Sequence, residues 1–237
     1  MPNDIDYALL STRVYAASVD NRTGVPAGWT ELTWQPDYRF SGFSAGAYRR
    51  GGEVVIAYTG TNDKSLDWLS SIPAVFGLLP APQVFDAMRF YLDVKAANPD
   101  ATSFTFSGHS LGGGLASLMA VFFNKQATVF DEAPFQLSAI GPIAPVLLTS
   151  LQASLLLNGY TDLDFALYNA SWGTLFPLRE GNVNHLYLEG EALAAYRSGP
   201  TTIAGSEAFV PMGSSTLGAI DRHTMTLLAA MQGNAGF

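Results

Sequence analysis

The sequence predicts an α/β fold with a mostly parallel central sheet and helices on both of its faces. Glu53 to Tyr58 is a β-branched run that follows two glycines, as strands after a hairpin turn do. From Ala101 to Ser107 apolar and polar residues alternate, which is the period of a strand. Leu111 to Phe123 then has the apolar period of a helix. Strands that alternate with helices along a chain favour parallel strands joined by helices.

The remaining predicted elements fit the same plan. A strand is expected at Gly42 to Tyr48, and an amphipathic helix within Met1 to Ser18. Further along the chain the patterns predict a helix over Val84 to Lys95, strands at Ala127 to Phe130 and Asn184 to Leu188, and a last helix at His223 to Met231. No repeat and no low-complexity linker interrupts this order, so we expect a single domain over residues 1–237.

Composition excludes several classes of protein. The 237 residues include 12 Lys+Arg and 20 Asp+Glu, a formal charge of −8, and 48% are hydrophobic. Such a chain can bury the core of one domain, but it lacks the basic surface that nucleic acid or anionic lipid heads require. The absence of Cys removes disulfides and thiolate chemistry and is compatible with either redox compartment.

Neither a sorting signal nor a membrane span is expected. Met1 to Ser18 carries Asp4, Asp6 and Arg13 and lacks the apolar region of a signal peptide. Two uncharged stretches, Trp68 to Phe85 and Ala133 to Thr161, are interrupted by prolines and fall short of the roughly 20 apolar residues that a span needs. We therefore expect a soluble chain, either cytoplasmic or secreted by a route that the chain does not encode.

The pattern G-x-S-x-G, typical of the nucleophile elbow of α/β hydrolases, occurs twice. Gly108 to Gly112 follows a predicted strand and opens a Gly-rich helix, so Ser110 would stand at the carboxyl edge of the sheet. Gly42 to Gly46 is followed by no helix but by Ala47 to Gly52 and then another strand, which is the pattern of a hairpin. Context therefore favours Ser110 as the nucleophile over Ser44, and the glycines around Ser44 are predicted to serve turns and close packing.

Four segments together resemble the class 3, fungal-lipase-like lipases of the α/β-hydrolase superfamily. They are VVIAYTGT (Val54 to Thr61), Asp67-Trp68, FTFSGHSLGGGLA (Phe104 to Ala116) and TVFDEAP (Thr128 to Pro134). The resemblance implies an oxyanion hole formed by the backbone N–H groups of Thr61 and Leu111. Thr59 stands where the family usually has Arg, which departs from the family's local ion pair and leaves the oxyanion hole intact.

The base is sought among three histidines, because the triad order in this fold is Ser, acid, His. His109 adjoins the nucleophile and is expected to pack, and His185 lies within a predicted strand and is expected to be structural. His223 follows every candidate acid and resembles the family's C-terminal catalytic His, so it is predicted to be the base.

The acid is predicted less directly than the base. Glu191 occupies the position of the family's Asp just after a predicted strand, with one more methylene than Asp. Glu189, Asp162, Asp164 and Asp131 remain alternatives, Asp131 being the least favoured because it follows an earlier strand.

These residues predict a serine carboxylic-ester hydrolase, a lipase or esterase acting through an acyl-enzyme. A lid over residues 68–85 and an apolar insertion over residues 133–180 would favour medium or long acyl chains and transient contact with a lipid interface. No cofactor and no metal are expected, since HExxH is absent and the histidines are scattered. Phospholipase A1, thioesterase or acyltransferase activity at the same site, and a non-catalytic lipid-binding module, are the alternatives.

Overall fold

The computed structural model describes residues 2–15, 22–36, 42–60, 79, 81–193, 206–210 and 223, with the backbone alone for 206–210. Its strands form one sheet in which spatial order follows chain order. They are β1 Thr30–Gln35, β2 Ala45–Arg50, β3 Glu53–Tyr58, β4 Ser103–His109, β5 Gln126–Phe130, β6 Val183–Leu188 and β7 Ser206–Val210. Strands β1 to β3 pair antiparallel, and β3 to β7 pair parallel. The carboxyl ends of β3 to β6 therefore share one edge, where the predicted site residues lie.

Helices cover both faces of this sheet, as predicted. They are α1 Asp4–Arg13, α2 Ala81–Ala97, α3 Leu111–Phe123, α4 Gln136–Ala139, α5 Ala144–Leu157 and α6 Leu163–Arg179. Parallel strands that step in one direction through right-handed crossovers place their connecting helices on one face. Side chains of α2, α3, α5 and α6 accordingly share one core. Tyr7, Leu10 and Val14 of the α1 segment pack with the opposite face.

Local sequence explains where two of these helices begin. Asn3 and Asp6 form a capping box at α1, in which the backbone N–H of Asp6 donates to Asn3 Oδ1 at 2.8 Å. Asp162 caps α6 by accepting from the backbone N–H of Phe165 at 3.1 Å. Helix α3 is different, because every residue in it is buried. It is the central helix of the layer, which explains its lack of charge and makes it a rigid support for Ser110.

The predicted strand 53–58 and the predicted helix 111–123 have the observed bounds. The predicted strand 101–107 is shifted, since β4 runs from Ser103 to His109 and so reaches the edge of the sheet. Sequence reasoning missed β1 and β7. Strand β1 has no apolar period because it is an edge strand with largely exposed side chains. Of the predicted last helix, 223–231, only His223 lies within the described residues.

Most of the predicted lid, residues 68–78 and 80, lies outside the described residues. Leu79 is buried and its backbone N–H donates to Ser138 Oγ at 2.7 Å, and residues 81–85 are the first turn and a half of α2. That last part of the predicted lid is helix with Val84 in the core, because its apolar residues have the helical period of α2.

The apolar segment 133–180 forms α4, α5 and α6. One face of α5 and α6 belongs to the main core, where the rings of Phe122 and Phe165 lie 5.2 Å apart. The other face is apolar but open to solvent, with Val146 71%, Leu157 88% and Leu163 74% exposed. No helix among the described residues has the length and apolarity needed to cross a membrane.

Candidate active site

Ser110 lies on a strained turn between β4 and α3. Its backbone has φ 56° and ψ −127°, a region that residues with a Cβ rarely adopt. Two backbone hydrogen bonds hold it there: the N–H of Ser110 donates to Phe130 O at 3.1 Å, and the N–H of Ala133 donates to Ser110 O at 2.9 Å. Strand β5 and the loop after it thus support the turn that presents the hydroxyl.

Both glycines of the Gly108 to Gly112 motif are required by close backbone contacts. A Cβ on Gly108 would lie 2.3 Å from the carbonyl oxygen of Gly112. A Cβ on Gly112 would lie 2.2 Å from the carbonyl oxygen of Tyr58, at the end of β3. Because backbone atoms cannot rotate away as side chains can, any larger residue would displace α3 from the sheet. The steric reason for the sequence motif is therefore visible in the fold.

Ser110, His223 and Glu191 form a continuous chain of hydrogen bonds. Ser110 Oγ lies 2.9 Å from His223 Nε2, and His223 Nδ1 lies 2.5 Å from Glu191 Oε2. The three residues are 4%, 8% and 3% exposed. With the ring proton on Nδ1, His223 donates to Glu191 and accepts from the Ser110 hydroxyl. This is the donor and acceptor order of a Ser-His-acid triad.

Glu191 is itself held in position, because its Oε2 also accepts from the backbone N–H of Leu193 at 2.8 Å. The other candidate acids occupy different places. Asp162 caps α6 and lies 2.7 Å from Lys95 Nζ, and Asp164 lies 3.8 Å from both Lys125 and Arg179. Glu189 is exposed.

Asp131, the least favoured candidate, is buried close to the triad. One oxygen of its carboxylate and one ring nitrogen each of His109 and His223 lie within 4.8 Å of one another. Ligand atoms this close could approach a metal ion. Both nitrogens of His223 already contact Ser110 and Glu191, so we assign the group to the hydrogen-bonded triad and its surroundings.

His109 packs, as predicted, and its ring lies against that of His223 with the centroids 4.8 Å apart. Its Nδ1 is 2.9 Å from the hydroxyl of Tyr15, which also accepts from the backbone N–H of Gly60 at 2.8 Å. Burial raises the pKa of Tyr15, so its phenol is neutral and can both donate and accept. Tyr15 therefore joins the segment after α1 to the ends of β3 and β4. A lone Tyr has no sequence signal, and sequence reasoning missed it.

His185 is a buried residue inside β6, as predicted, and its Nδ1 lies 2.9 Å from Glu132 Oε1. The same oxygen accepts from the hydroxyl of Tyr187 at 2.5 Å. Glu132 packs directly beneath α3, because a Cβ on Gly113 would lie 2.4 Å from its Cβ. These three residues form a polar cluster under the elbow that sequence reasoning did not find.

Of the predicted oxyanion donors, Leu111 is described and Thr61 lies outside the described residues. Leu111 begins α3, so its N–H belongs to the first turn, whose donors have no acceptor within the helix. Gly60, just before Thr61, is close to the nucleophile: a Cβ on Gly60 would lie 3.1 Å from Ser110 Cβ. The end of β3 thus approaches Ser110, and the role of Thr61 stays a prediction.

Ser44, the serine of the second G-x-S-x-G match, is bonded into the sheet. Its hydroxyl donates to Gln35 O at 2.9 Å. Its carbonyl oxygen accepts from both the N–H and the hydroxyl of Thr59, each at 3.0 Å. Ser44 therefore links the end of β1 and the residue after β3 through these hydrogen bonds.

The fold is that of a lipase- or phospholipase-like domain. A family model described as the Tle-like phospholipase domain matches residues 6–146, more than half of the chain. The chain belongs to this Tle-like phospholipase family. The resemblance of the sequence to class 3, fungal-lipase-like lipases is confirmed by this match and by the relatives below.

One relative is a protein from Serratia liquefaciens named extracellular phospholipase A1, 36% identical over 97 residues. The match covers 39% of this chain and 28% of that protein, so the chain spans less than a third of the relative's length.

Solved lipase structures have the same fold. Lipase II from Rhizopus niveus superposes with a TM-score of 0.52 at 13% identity, covering 86% of this chain and 78% of that one. A native Rhizomucor miehei lipase–propeptide complex superposes with a TM-score of 0.50 at 15% identity, covering 86% and 66%. The predicted α/β-hydrolase fold is confirmed.

Proposed function

We propose that this chain hydrolyses carboxylic esters of lipids, with Ser110 as nucleophile, His223 as general base and Glu191 as the acid that orients His223. The observation that carries the proposal is the hydrogen-bonded sequence Ser110, His223, Glu191, with Ser110 on a strained elbow at the start of a helix. The family match supports the same chemistry, because it covers the elbow and the strands on either side of it.

The geometry implies an acyl-enzyme mechanism. Ser110 Oγ attacks the ester carbonyl carbon while His223 Nε2 takes the hydroxyl proton, and Glu191 stabilises the imidazolium that forms. Negative charge on the carbonyl oxygen is stabilised by the N–H groups of Leu111 and Thr61. The intermediate collapses as His223 returns the proton to the leaving alcohol, and water activated by His223 then hydrolyses the acyl-Ser110 ester. Every step is a proton or acyl transfer by groups of the chain itself.

We propose a lipid with medium or long acyl chains as the substrate, and favour a glycerophospholipid over a triacylglycerol. The family description and the name of the Serratia relative support this choice. The uncharged, solvent-exposed faces of α5 and α6 supply apolar surface for transient contact with a lipid interface. An acyl ester at the first glycerol position is the bond that a phospholipase A1 would cleave.

The nucleophile is tested with a fluorophosphonate probe, which reacts with an activated serine hydroxyl. We expect the wild-type chain and Ser44→Ala to be labelled and Ser110→Ala to remain unlabelled. Circular dichroism and thermal unfolding establish that each variant is folded. A folded wild-type chain that resists the probe would contradict hydrolysis and favour a lipid-binding module, and labelling of Ser110→Ala would contradict the choice of serine.

The substrate is tested with a phosphatidylcholine that carries different acyl chains at its two positions, a triacylglycerol and a series of p-nitrophenyl esters. We expect preferential release of the first-position acyl chain, and octanoyl or longer esters to be cleaved faster than acetyl ester. A preference for acetyl ester would contradict the acyl-binding role. Faster triacylglycerol than phospholipid hydrolysis would contradict the choice of head group while leaving Ser110 as the nucleophile.

A further inference from the structure

Asp131 has a buried carboxyl group and is held by two hydrogen bonds to β6. It follows β5 directly and is 0% exposed. Its backbone N–H donates to Leu186 O at 3.0 Å, and its Oδ1 accepts from the backbone N–H of Leu188 at 2.8 Å. Its φ of 42° lies in the left-handed region, which Asp and Asn tolerate better than most residues. A strained and buried acid at the active-site edge of the sheet needs a physical reason.

The order of the strands brings Asp131 to the triad. Strand β5 lies between β4 and β6, and His109 at the end of β4 is paired in register with Phe130 at the end of β5. The residue after β5 therefore arrives beside the elbow, one strand away from the segment after β6 that carries Glu191. The segments after two neighbouring strands thus place one carboxyl group in contact with His223 and a second within 4.8 Å of a nitrogen of its ring.

Four ionisable or hydrogen-bonding side chains face His223 among the described residues. Ser110 contacts Nε2 and Glu191 contacts Nδ1. The ring of His109 packs against it, and a carboxylate oxygen of Asp131 lies within 4.8 Å of a ring nitrogen of each histidine. Tyr15 stands behind His109 and is neutral. Glu191 and Asp131 are the two carboxyl groups among these described side chains.

We propose that Asp131 is a second acidic partner of His223, acting through its charge alongside Glu191. This inference rests on the proposed function. An opposite charge at about 5 Å in a buried site favours the charged form of its neighbour by about one pKa unit or more. Asp131 would thus raise the proton affinity of His223 and stabilise the imidazolium of the transition state. It would also support His223 when the charge of Glu191 is removed.

Asp131→Asn tests this with little other change. Asn tolerates the left-handed backbone, and its Oδ1 can still accept from the N–H of Leu188, so the negative charge is what is lost. We expect the acid limb of the kcat/KM profile to move to lower pH by about one unit. We expect kcat to fall by about 3- to 10-fold at the pH optimum, with KM unchanged.

Glu191→Gln, alone and combined with Asp131→Asn, tests whether Glu191 and Asp131 share the role of acidic partner of His223. The loss caused by Asp131→Asn should be larger in the Glu191→Gln background, by about 10-fold or more, than in the wild type. Equal losses in both backgrounds would contradict a shared role, because independent sites give additive free energies.

A measurement without turnover separates this inference from the proposed function. In the Ser110→Ala background, nuclear magnetic resonance of the histidine ring protons gives the pKa of His223 with and without Asp131→Asn. We expect that pKa to be lower in Asp131→Asn even if no substrate is cleaved. An unchanged pKa, with the fold intact, would overturn the inference while leaving the triad in place. Inactive wild-type protein would contradict the proposed function alone.

Two further variants keep the test decisive. Asp131→Gly relieves the left-handed strain while removing the charge, so it replaces Asp131→Asn if the latter does not fold. Asp162→Asn is the matched control. Asp162 pairs with Lys95 in the last turn of α2, and this pair lies at the opposite edge of the sheet from Ser110. Asn also caps helices, so the variant removes the charge and keeps the cap of α6. Asp162→Asn should leave both the pH profile and the pKa of His223 unchanged. A shift in Asp162→Asn as large as that in Asp131→Asn would overturn the inference.

Discussion

The two G-x-S-x-G segments share one sequence pattern and have opposite structures. Ser110 joins a parallel strand to a buried helix through a strained backbone, and its hydroxyl points to His223. Ser44 joins two antiparallel strands, and its hydroxyl donates to the carbonyl of Gln35. In the first segment the glycines allow the close approach of backbone from another element, and in the second Gly42 has a positive φ of 68°. The same motif therefore forms an elbow before a helix in one place and leads into an antiparallel strand in the other.

The largest expected difference between these segments is in activity. Ser110→Ala should lower kcat by about 10⁴-fold or more, because the nucleophile is lost. Ser44→Ala should leave kcat within about 2-fold and cost about 1 kcal/mol of unfolding free energy, the typical value of one hydrogen bond. Initial rates on a medium-chain ester and urea unfolding measure the two effects. Loss of activity in folded Ser44→Ala would break the comparison.

The next largest difference is expected in the stability lost when a glycine of each segment is replaced by alanine. A Cβ on Gly112 would lie 2.2 Å from the carbonyl oxygen of Tyr58, which can move only with the backbone. On Gly46 it would lie 2.6 Å from the Tyr48 hydroxyl and 2.9 Å from Val14 Cγ1, which are side-chain atoms able to shift. Gly112→Ala should therefore cost about 3 kcal/mol or more, and Gly46→Ala about 1 to 2 kcal/mol. Denaturant midpoints measure the costs, and equal costs would contradict the distinction.

Tyr15 ties the ends of β3 and β4 together beside Ser110 through the N–H of Gly60 and the carbonyl of His109. Tyr15→Phe keeps the ring but leaves the N–H of Gly60 without its phenol acceptor. We expect about 1 to 3 kcal/mol of lost stability and about a 10-fold lower kcat, with KM little changed, because the elbow loses its support. Tyr91→Phe is the control, since the Tyr91 hydroxyl has no hydrogen-bond partner among the described residues. A fall in stability with kcat unchanged would show that Tyr15 supports the fold alone.

The smallest expected effect is on stability, and it comes from the ion pairs of Glu31 in β1, the strand to which Ser44 is bonded. Glu31 of β1 accepts from Arg22 NH1 at 2.8 Å and from Arg13 Nε at 2.9 Å. Partial burial alone would raise the pKa of Glu31, but these two guanidinium groups outweigh it and lower that pKa. The stabilisation is present above the unfolded pKa of about 4.3 and is lost as pH falls through the lowered folded value.

Glu31→Gln should therefore cost about 1 kcal/mol near pH 7, and this cost should shrink as the pH falls below the unfolded pKa of Glu. Thermal unfolding across this range measures the difference between the variant and the wild type. Activity at Ser110 should be unaffected throughout, and a parallel fall in kcat would link the two segments. A cost that is independent of pH would contradict the ionic origin of the effect.

Sequence reasoning predicted what depends on local pattern. The bounds of β3 and α3 and the choice between Ser110 and Ser44 follow from period and from turn chemistry, which neighbouring residues determine. The described contacts also bring together the predicted Ser110, His223 and Glu191. Strand β1 was missed because an exposed edge strand has no apolar period to detect.

The sequence alone therefore determined the elbow, the helix behind it and the order of serine, acid and histidine along the chain. Only the tertiary structure decided which acids lie near His223. It places Glu191 in contact with the ring and Asp131 a few ångströms away, where sequence order treats them as alternatives. It also brings Tyr15 to Gly60 across 45 positions. The physical reason is that side chains meet at a sheet edge according to strand order and register, which residues far apart in the sequence establish together.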